Sequence, residues 1–116
     1  MIIHCVKAYS ELLAMRKELK AEQVWIFHGF NSSYEMARQI MDHGCMLSFG
    51  KHLWKEGSKA ETAIRRIEPR YWFLETDDEE ISIESVYDQA ALITNIPVEE
   101  LKGTLWDNFN RVFKSV

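Results

Sequence analysis

The residues that most restrict how this chain can fold are Tyr71-Trp72-Phe73-Leu74, large apolar side chains that follow Pro69 and run straight into Glu75-Thr76-Asp77. An uninterrupted apolar run this short, with a helix breaker before it and acid after it, predicts a strand buried on both faces that stops at a polar rim. A strand with one solvated face would alternate instead. Strands buried on both faces belong to parallel sheets covered by helices, and in such sheets ligands collect where the strands' C-terminal ends meet solvent.

Three further runs repeat the pattern. Met1-Ile2-Ile3-His4-Cys5-Val6 predicts a strand beginning at the first residue, Val24-Trp25-Ile26-Phe27 ends in His28-Gly29, and residues 45–50 end in small and polar residues. Helical spacing falls between them. A first helix is expected over 10–19, with Ser10 as its N-cap and Leu12, Leu13, Met15 and Leu19 apolar. A second is expected to open with a capping box of Ser32 and Glu35, to bury Met36, Ala37, Ile40 and Met41, and to close at a left-handed Gly44. Residues 51–57 read as loop, and 60–67 as a helix with Ala63, Ile64 and Ile67 inward. A helix over 82–94 should bury Ile83, Val86, Ala90 and Ile93; Pro97 then opens a last helix with Leu101, Leu105, Phe109, Val112 and Phe113 apolar. The order βαβαβαβαα has short connections and no repeat or linker. It predicts one α/β domain over residues 1–116, built of four parallel βα units with right-handed crossovers. That is half of a TIM-type (β/α)8 barrel, which as a whole takes about 250 residues, whereas this chain has 116.

Composition narrows the function classes. With 47% hydrophobic and 28% charged residues the chain is ordinary globular material. A net charge of -4 gives no overall positive field for nucleic acid or anionic membrane, so such binding would need a local patch or bound cations. Cys5 and Cys45 lack the spacing of a zinc ribbon or redox motif and read as reduced, buried thiols of a cytoplasmic protein. No stretch approaches the roughly 20 apolar residues of a membrane span, and no basic segment precedes a signal-like core, so a soluble protein without membrane partners is expected.

His4, His28 and Asp77 each fall at or near the C-terminal end of a different strand, and parallel neighbours lie only about 4.8 Å apart. Two imidazoles and a carboxylate are suitable ligands for zinc or another divalent ion, which can activate water for hydrolysis. Either histidine alone is as readily a structural hydrogen-bonding residue; their coincidence with Asp77 on one rim favours a shared site. Ser48 reaches the third strand's rim without a base beside it in sequence and suits a substrate or phosphate contact better than a nucleophile. Gly50 there permits close backbone approach. His43 and His52 read as a helix-end charge and a loop residue, and Trp54 as a possible ligand-facing aromatic. A flavodoxin-like fold with a phosphate site near 31–33 is the competing topology, but no Gly-rich dinucleotide or P-loop signature accompanies it.

Several of these stretches stand together in a recognisable order: Ile2-Ile3-His4-Cys5 with Ala8-Tyr9, Phe27-His28-Gly29-Phe30-Asn31-Ser32, residues 44–50, Leu74-Glu75-Thr76-Asp77, and residues 108–113. In these the chain resembles the TatD-type metal-dependent hydrolases, a deoxyribonuclease family within the amidohydrolase-like barrels. The resemblance implies hydrolysis of DNA phosphodiester bonds with divalent ions, Mg, Mn or Zn. It makes His4 and His28 metal ligands, Asp77 the metal-linked acid that orients or deprotonates the attacking water, and Glu75 a supporting carboxylate behind the ligands. The departures are specific. The family's first-strand His-x-His pair and its metal-bridging glutamate have no counterpart, because the chain starts at what would be the fifth strand. His28-Gly29-Phe30 stands for the usual His-Cys-Phe, and Asp78-Glu79-Glu80 for a small residue and proline.

An unclosed half-barrel exposes two sheet edges and an apolar interior. It is therefore expected to form a homo-oligomer, to pair with a separate N-terminal half, or to be part of a longer reading frame, which the abrupt strand at Met1 favours. The function expected is a TatD-like phosphodiesterase acting on DNA or another phosphoester, incomplete as a standalone chain. The alternative is a non-catalytic half-barrel serving as an assembly module.

Overall fold

Every apolar run contains a strand. The computed structural model describes residues 2–4, 13–15, 17, 24–76 and 80–113, the first of these segments through its backbone pairing. The strands are β1 (Ile2–His4), β2 (Ile26–His28), β3 (Met46–Phe49) and β4 (Trp72–Leu74), hydrogen-bonded in the order β1-β2-β3-β4. All pairs are parallel, and one register line runs Ile3, Phe27, Leu47, Trp72. His28, expected just past its strand, is the last residue of β2. Tyr71, expected within the fourth strand, instead belongs to a 3-10 turn, Pro69–Tyr71, whose proline sets the φ angle that the turn needs.

Strand alternation divides the sheet's two faces. Phe27, Leu47, Phe49 and Trp72 are fully buried on the side of the helices, in one cluster with Ala37, Ile40, Ala63, Ile64, Val86, Ala90 and Leu101. Alanines at the contact points let the helices approach the sheet closely. Phe30, Phe49 and Trp72 meet edge to face at 5.8 and 5.9 Å, a geometry that adds about 0.5–1.5 kcal/mol per pair beyond burial. Ile26, Met46 and Ser48 lie on the opposite face and are also buried, as the unbroken apolar runs predicted, yet Ile26 and Met46 stand outside the helix-side cluster. Phe73, on that same face, is half-buried, with its ring 6.4 Å from that of Phe113.

The helices are α1 (Tyr34–Asp42), α2 (Lys59–Arg66), α3 (Ile83–Thr94) and α4 (Val98–Phe113). The expected 10–19 helix falls mostly outside the described residues; Leu13, Ala14, Met15 and Lys17 are helical, with Leu13 buried and Met15 exposed. The cap of α1 is Ser33, one residue later than expected, and its hydroxyl accepts from the Met36 amide at 3.2 Å. The position that reciprocates in a capping box is then Met36, so Glu35 acts only as an acid in the first turn, favourable to the helix dipole. The other end of α1 is as expected. Gly44 is left-handed (φ 75°), its amide donates to Met41 and that of Cys45 to Ile40, the paired bonds of a Schellman ending. The free thiol of Cys45 is buried beside it.

Residues 51–57, expected as loop, contain a 3-10 turn, Lys51–Trp54. Ser58 caps α2 through the Glu61 amide, and Ser82 caps α3 through Ser85. Ile83 is exposed, contrary to its expected burial: as the first residue of α3 it lies before the helix reaches the core, which Val86 and Ala90 enter. On α4, Leu101 and Leu105 are buried, whereas Phe109 and Phe113 are exposed and packed with each other at 5.0 Å. Among the described residues no helix is long and apolar enough to cross a membrane.

A buried amide clamps α4 to the sheet. Asn108, 1% exposed, donates from Nδ2 to the carbonyls of Pro69 and Trp72 at 2.8 and 2.9 Å, while its Oδ1 accepts from Arg111 at 3.2 Å. Two carbonyls at the entry to β4 thus accept from one side chain, and that of Pro69 accepts from the Trp72 amide as well. Asn108→Ala is expected to destabilise the chain by about 2–4 kcal/mol, the cost of taking the side-chain donor from the Trp72 carbonyl and leaving a gap; urea titration gives the value, and a change below ~0.5 kcal/mol would contradict the clamp.

Candidate functional site

Parallel register and strand length together bring the rim residues to one level. His4 and His28 are direct Cα partners at the ends of β1 and β2. Beyond β2 the chain turns at Gly29, whose φ of 58° is accessible to glycine at no steric cost. Beyond β4 it continues into Glu75, whose amide donates to the Phe49 carbonyl at 2.9 Å, while the amide of Phe30 donates to Ser48 at 2.9 Å. These bonds prolong the sheet's ladder past the strand ends. Asn31 ties the same β2 loop sideways, its Oδ1 accepting from the Ala60 amide in the first turn of α2 at 2.9 Å.

On this frame one carboxylate holds the end of β2 at two points. Glu75 Oε2 lies 2.6 Å from His28 Nδ1, and Oε1 accepts from the Gly29 amide at 2.8 Å. The Glu75 side chain is 9% exposed and that of His28 is 26% exposed, so the pair lies at the edge of solvent, with the carboxylate on the inner side. An ionised carboxylate can only accept hydrogen bonds, so the Nδ1 facing it carries a proton and the lone pair of the neutral ring is on Nε2. A carboxylate behind an imidazole is the usual arrangement for a histidine that ligates a metal through its other nitrogen.

The residues described thus supply an oriented imidazole that fits a divalent ion by its donor chemistry. His4 is placed beside it by backbone register, while Asp77 and the side chain of His4 lie outside the described residues. Among the described residues there is no group of three or more His, Cys, Asp or Glu side chains able to hold a metal. Ser48 is 3% exposed and contributes its carbonyl to the rim ladder. Trp54 is 42% exposed. His52, read from sequence as a loop residue, sits in the 3-10 turn after β3 within electrostatic reach of Glu75; burial lowers its pKa below the ordinary 6.5, Lys51 and Lys55 lower it further, and Glu75 opposes them. Only its place two residues after Gly50, just past the end of β3, could have signalled this.

The chain is therefore an α/β protein with a parallel sheet and a carboxylate-held histidine at the C-terminal rim. Residues 1–114 match the family model described as TatD related DNase, and the chain belongs to that family. It is 25% identical to an uncharacterized metal-dependent hydrolase of Haemophilus influenzae, over 96% of this chain and 48% of that protein. It is 28% identical to the uncharacterized metal-dependent hydrolase YabD of Bacillus subtilis, over 97% and 50% respectively. The chain thus spans about half the length of the curated relatives it matches. Among solved structures it resembles YjjV, a TatD homologue of Escherichia coli, with a TM-score of 0.87 at 19% identity, covering 97% of this chain and 49% of that one. A TatD-family hydrolase of Entamoeba histolytica gives 0.81 at 16% identity, over 97% and 50%. These structural likenesses establish the TIM-barrel-like fold.

The lowered pKa of His52 has a definite sign. The unfolded chain binds this proton more readily than the folded one, so stability is full above pH 6.5 and declines as pH falls from there through the lowered folded value. His52→Gln is expected to flatten the fall in stability just below pH 6.5 in a series of urea titrations; an unchanged slope would mean that His52 titrates alike in both states.

Proposed function

We propose that residues 1–116 are four βα units of a TIM-type barrel, its C-terminal half, carrying part of the divalent-metal site of a TatD-like hydrolase that acts on phosphodiester bonds of DNA. The observation that carries this reading is the hold of Glu75 on His28 and Gly29 at the rim, in a chain of this family. The names of the relatives, metal-dependent hydrolases, support it. His4, His28 and Asp77 are the ligands, Glu75 supports them, and the ion is Mg, Mn or Zn. When bound, such an ion makes water nucleophilic near neutral pH and offsets charge on a phosphoryl oxygen.

The chain's own residues perform the rest. Glu75 holds the Nδ1 proton and so presents the Nε2 lone pair without rotation of the ring. Asp77 accepts the proton of the attacking water. The β2 loop stays fixed through Phe30 and Asn31, so His28 need not be ordered on binding. The same reading places the protein in the cytoplasm, where a free thiol such as Cys45 stays reduced.

The second reading is a non-catalytic half-barrel that assembles with a second copy or with an N-terminal half. It is favoured by the exposed rings of Phe109 (40%) and Phe113 (43%) on α4. Elemental analysis after dialysis, with light scattering on the same sample, separates the two. Metal near one equivalent per chain, lost in His28→Ala and in Asp77→Ala, together with metal-dependent nicking of supercoiled DNA, is the outcome expected. A wild type that retains no Mg, Mn or Zn and forms a stable, inert oligomer would contradict the hydrolase reading and leave the assembly module.

A further inference from the structure

A buried glycine lies against the carboxylate that holds His28. Gly50 follows the last residue of β3 and lies against Glu75. A Cβ built on it would stand 2.9 Å from the Glu75 backbone oxygen and 3.1 Å from Glu75 Cγ. Real Cβ atoms essentially never approach another heavy atom as closely as 2.9 Å. The nearer atom is main chain and cannot turn away as the tip of a flexible side chain could. It is also anchored, because the amide of Glu75 is bound to the Phe49 carbonyl, one residue before Gly50. The second atom, Cγ, is the carbon that carries the carboxyl group. Any larger residue at 50 therefore pushes on both ends of the lever that aims Oε1 at Gly29 and Oε2 at His28.

Three of the other described glycines show the contrast. Gly29, Gly44 and Gly57 have nothing within 4 Å of such a Cβ and owe their identity to left-handed backbone. Gly50 does not have a positive φ; it is small because Glu75 occupies the space. We infer that Gly50 is a positioning residue for the rim site: by leaving room for Glu75 it keeps His28 protonated on Nδ1, so that Nε2 is the nitrogen that would meet a divalent cation. The cation rests on the proposed function above; the control of the tautomer does not.

The test is the imidazole nitrogen NMR spectrum of metal-free protein, recorded well above the titration range of histidine. His28 in the wild type is expected as the Nδ1–H tautomer. In Gly50→Ala it is expected to move towards Nε2–H, and so is it in Glu75→Ala. Gly50→Ala added to Glu75→Ala should change the His28 tautomer no further, since the substitution acts through that carboxylate. If Gly50→Ala does not fold in buffer, the spectra are taken in trimethylamine N-oxide, which favours the compact state. Calorimetry with zinc on the folded variant should show affinity reduced about 10–100-fold, as for loss of a ligand's supporting partner. A folded Gly50→Ala with His28 still on Nδ1–H overturns the inference, as does a further tautomer change in the double variant. Absence of zinc binding by the wild type, with the tautomer shifts as expected, would sink the metal reading and leave the positioning role standing.

Discussion

The rim of this protein depends on one carboxylate with two obligations. Glu75 must accept from an imidazole and from a main-chain amide at once, and both belong to the β2 end. Charge-assisted bonds of this kind are roughly twice as strong as neutral ones, and with only 9% of its side chain exposed Glu75 has little water to compete for them. The fork crosses the sheet: Glu75 follows β4, its partners end β2, and β3 lies between, with Gly50 giving way at the crossing point. What looks like a loop contact therefore joins three strands. The β3 segment takes part through two main-chain bonds, at Ser48 and Phe49, that continue the sheet where no strand remains.

Away from the rim, the architecture is governed by the need to cover both faces of a short parallel sheet. The helix side is met within the chain by alanines at helix contacts and by the edge-to-face series from Phe30 to Trp72. The other face carries Ile26, Met46, Ser48 and Phe73, and α4 presents Phe109 and Phe113 to solvent. Exposed aromatic surface next to an edge strand is the kind of surface that closed barrels cover. On that second face Ile26, Met46 and Ser48 are buried within the chain, and only Phe73 is half-buried.

Much of this was legible in sequence, because unbroken apolar runs and their abrupt polar ends are strong signals. The runs around Phe27, Leu47 and Trp72 became the strands, and the helix-side core followed from helical spacing at Ala37, Ile40, Ala63 and Ile64. The errors are local. Ser32 and Ser33 are adjacent and both suited to capping, and the sequence does not choose between them. Ile83 has the period of a core residue but sits at the helix start, where periodicity does not reveal depth. The 3-10 turns at Lys51 and Pro69 are too short to leave a period at all. At the site, a histidine ending a strand was visible; the identity of its partner was not, since Glu75 lies 47 residues away and only the resemblance to TatD-type hydrolases pointed to it. The role of Gly50 leaves no sequence pattern, because it is a statement about distance.

The account stands on the claim that His28, held by Glu75, offers Nε2 to a divalent ion shared with His4 and Asp77. Crystals grown with zinc and measured on both sides of its absorption edge test this directly. The account predicts an anomalous peak about 2.0–2.1 Å from His28 Nε2, with Glu75 still on Nδ1 and with His4 and Asp77 completing the ligands. Zinc bound only elsewhere, or a His28 ring turned so that Nδ1 faces away from Glu75, would contradict it.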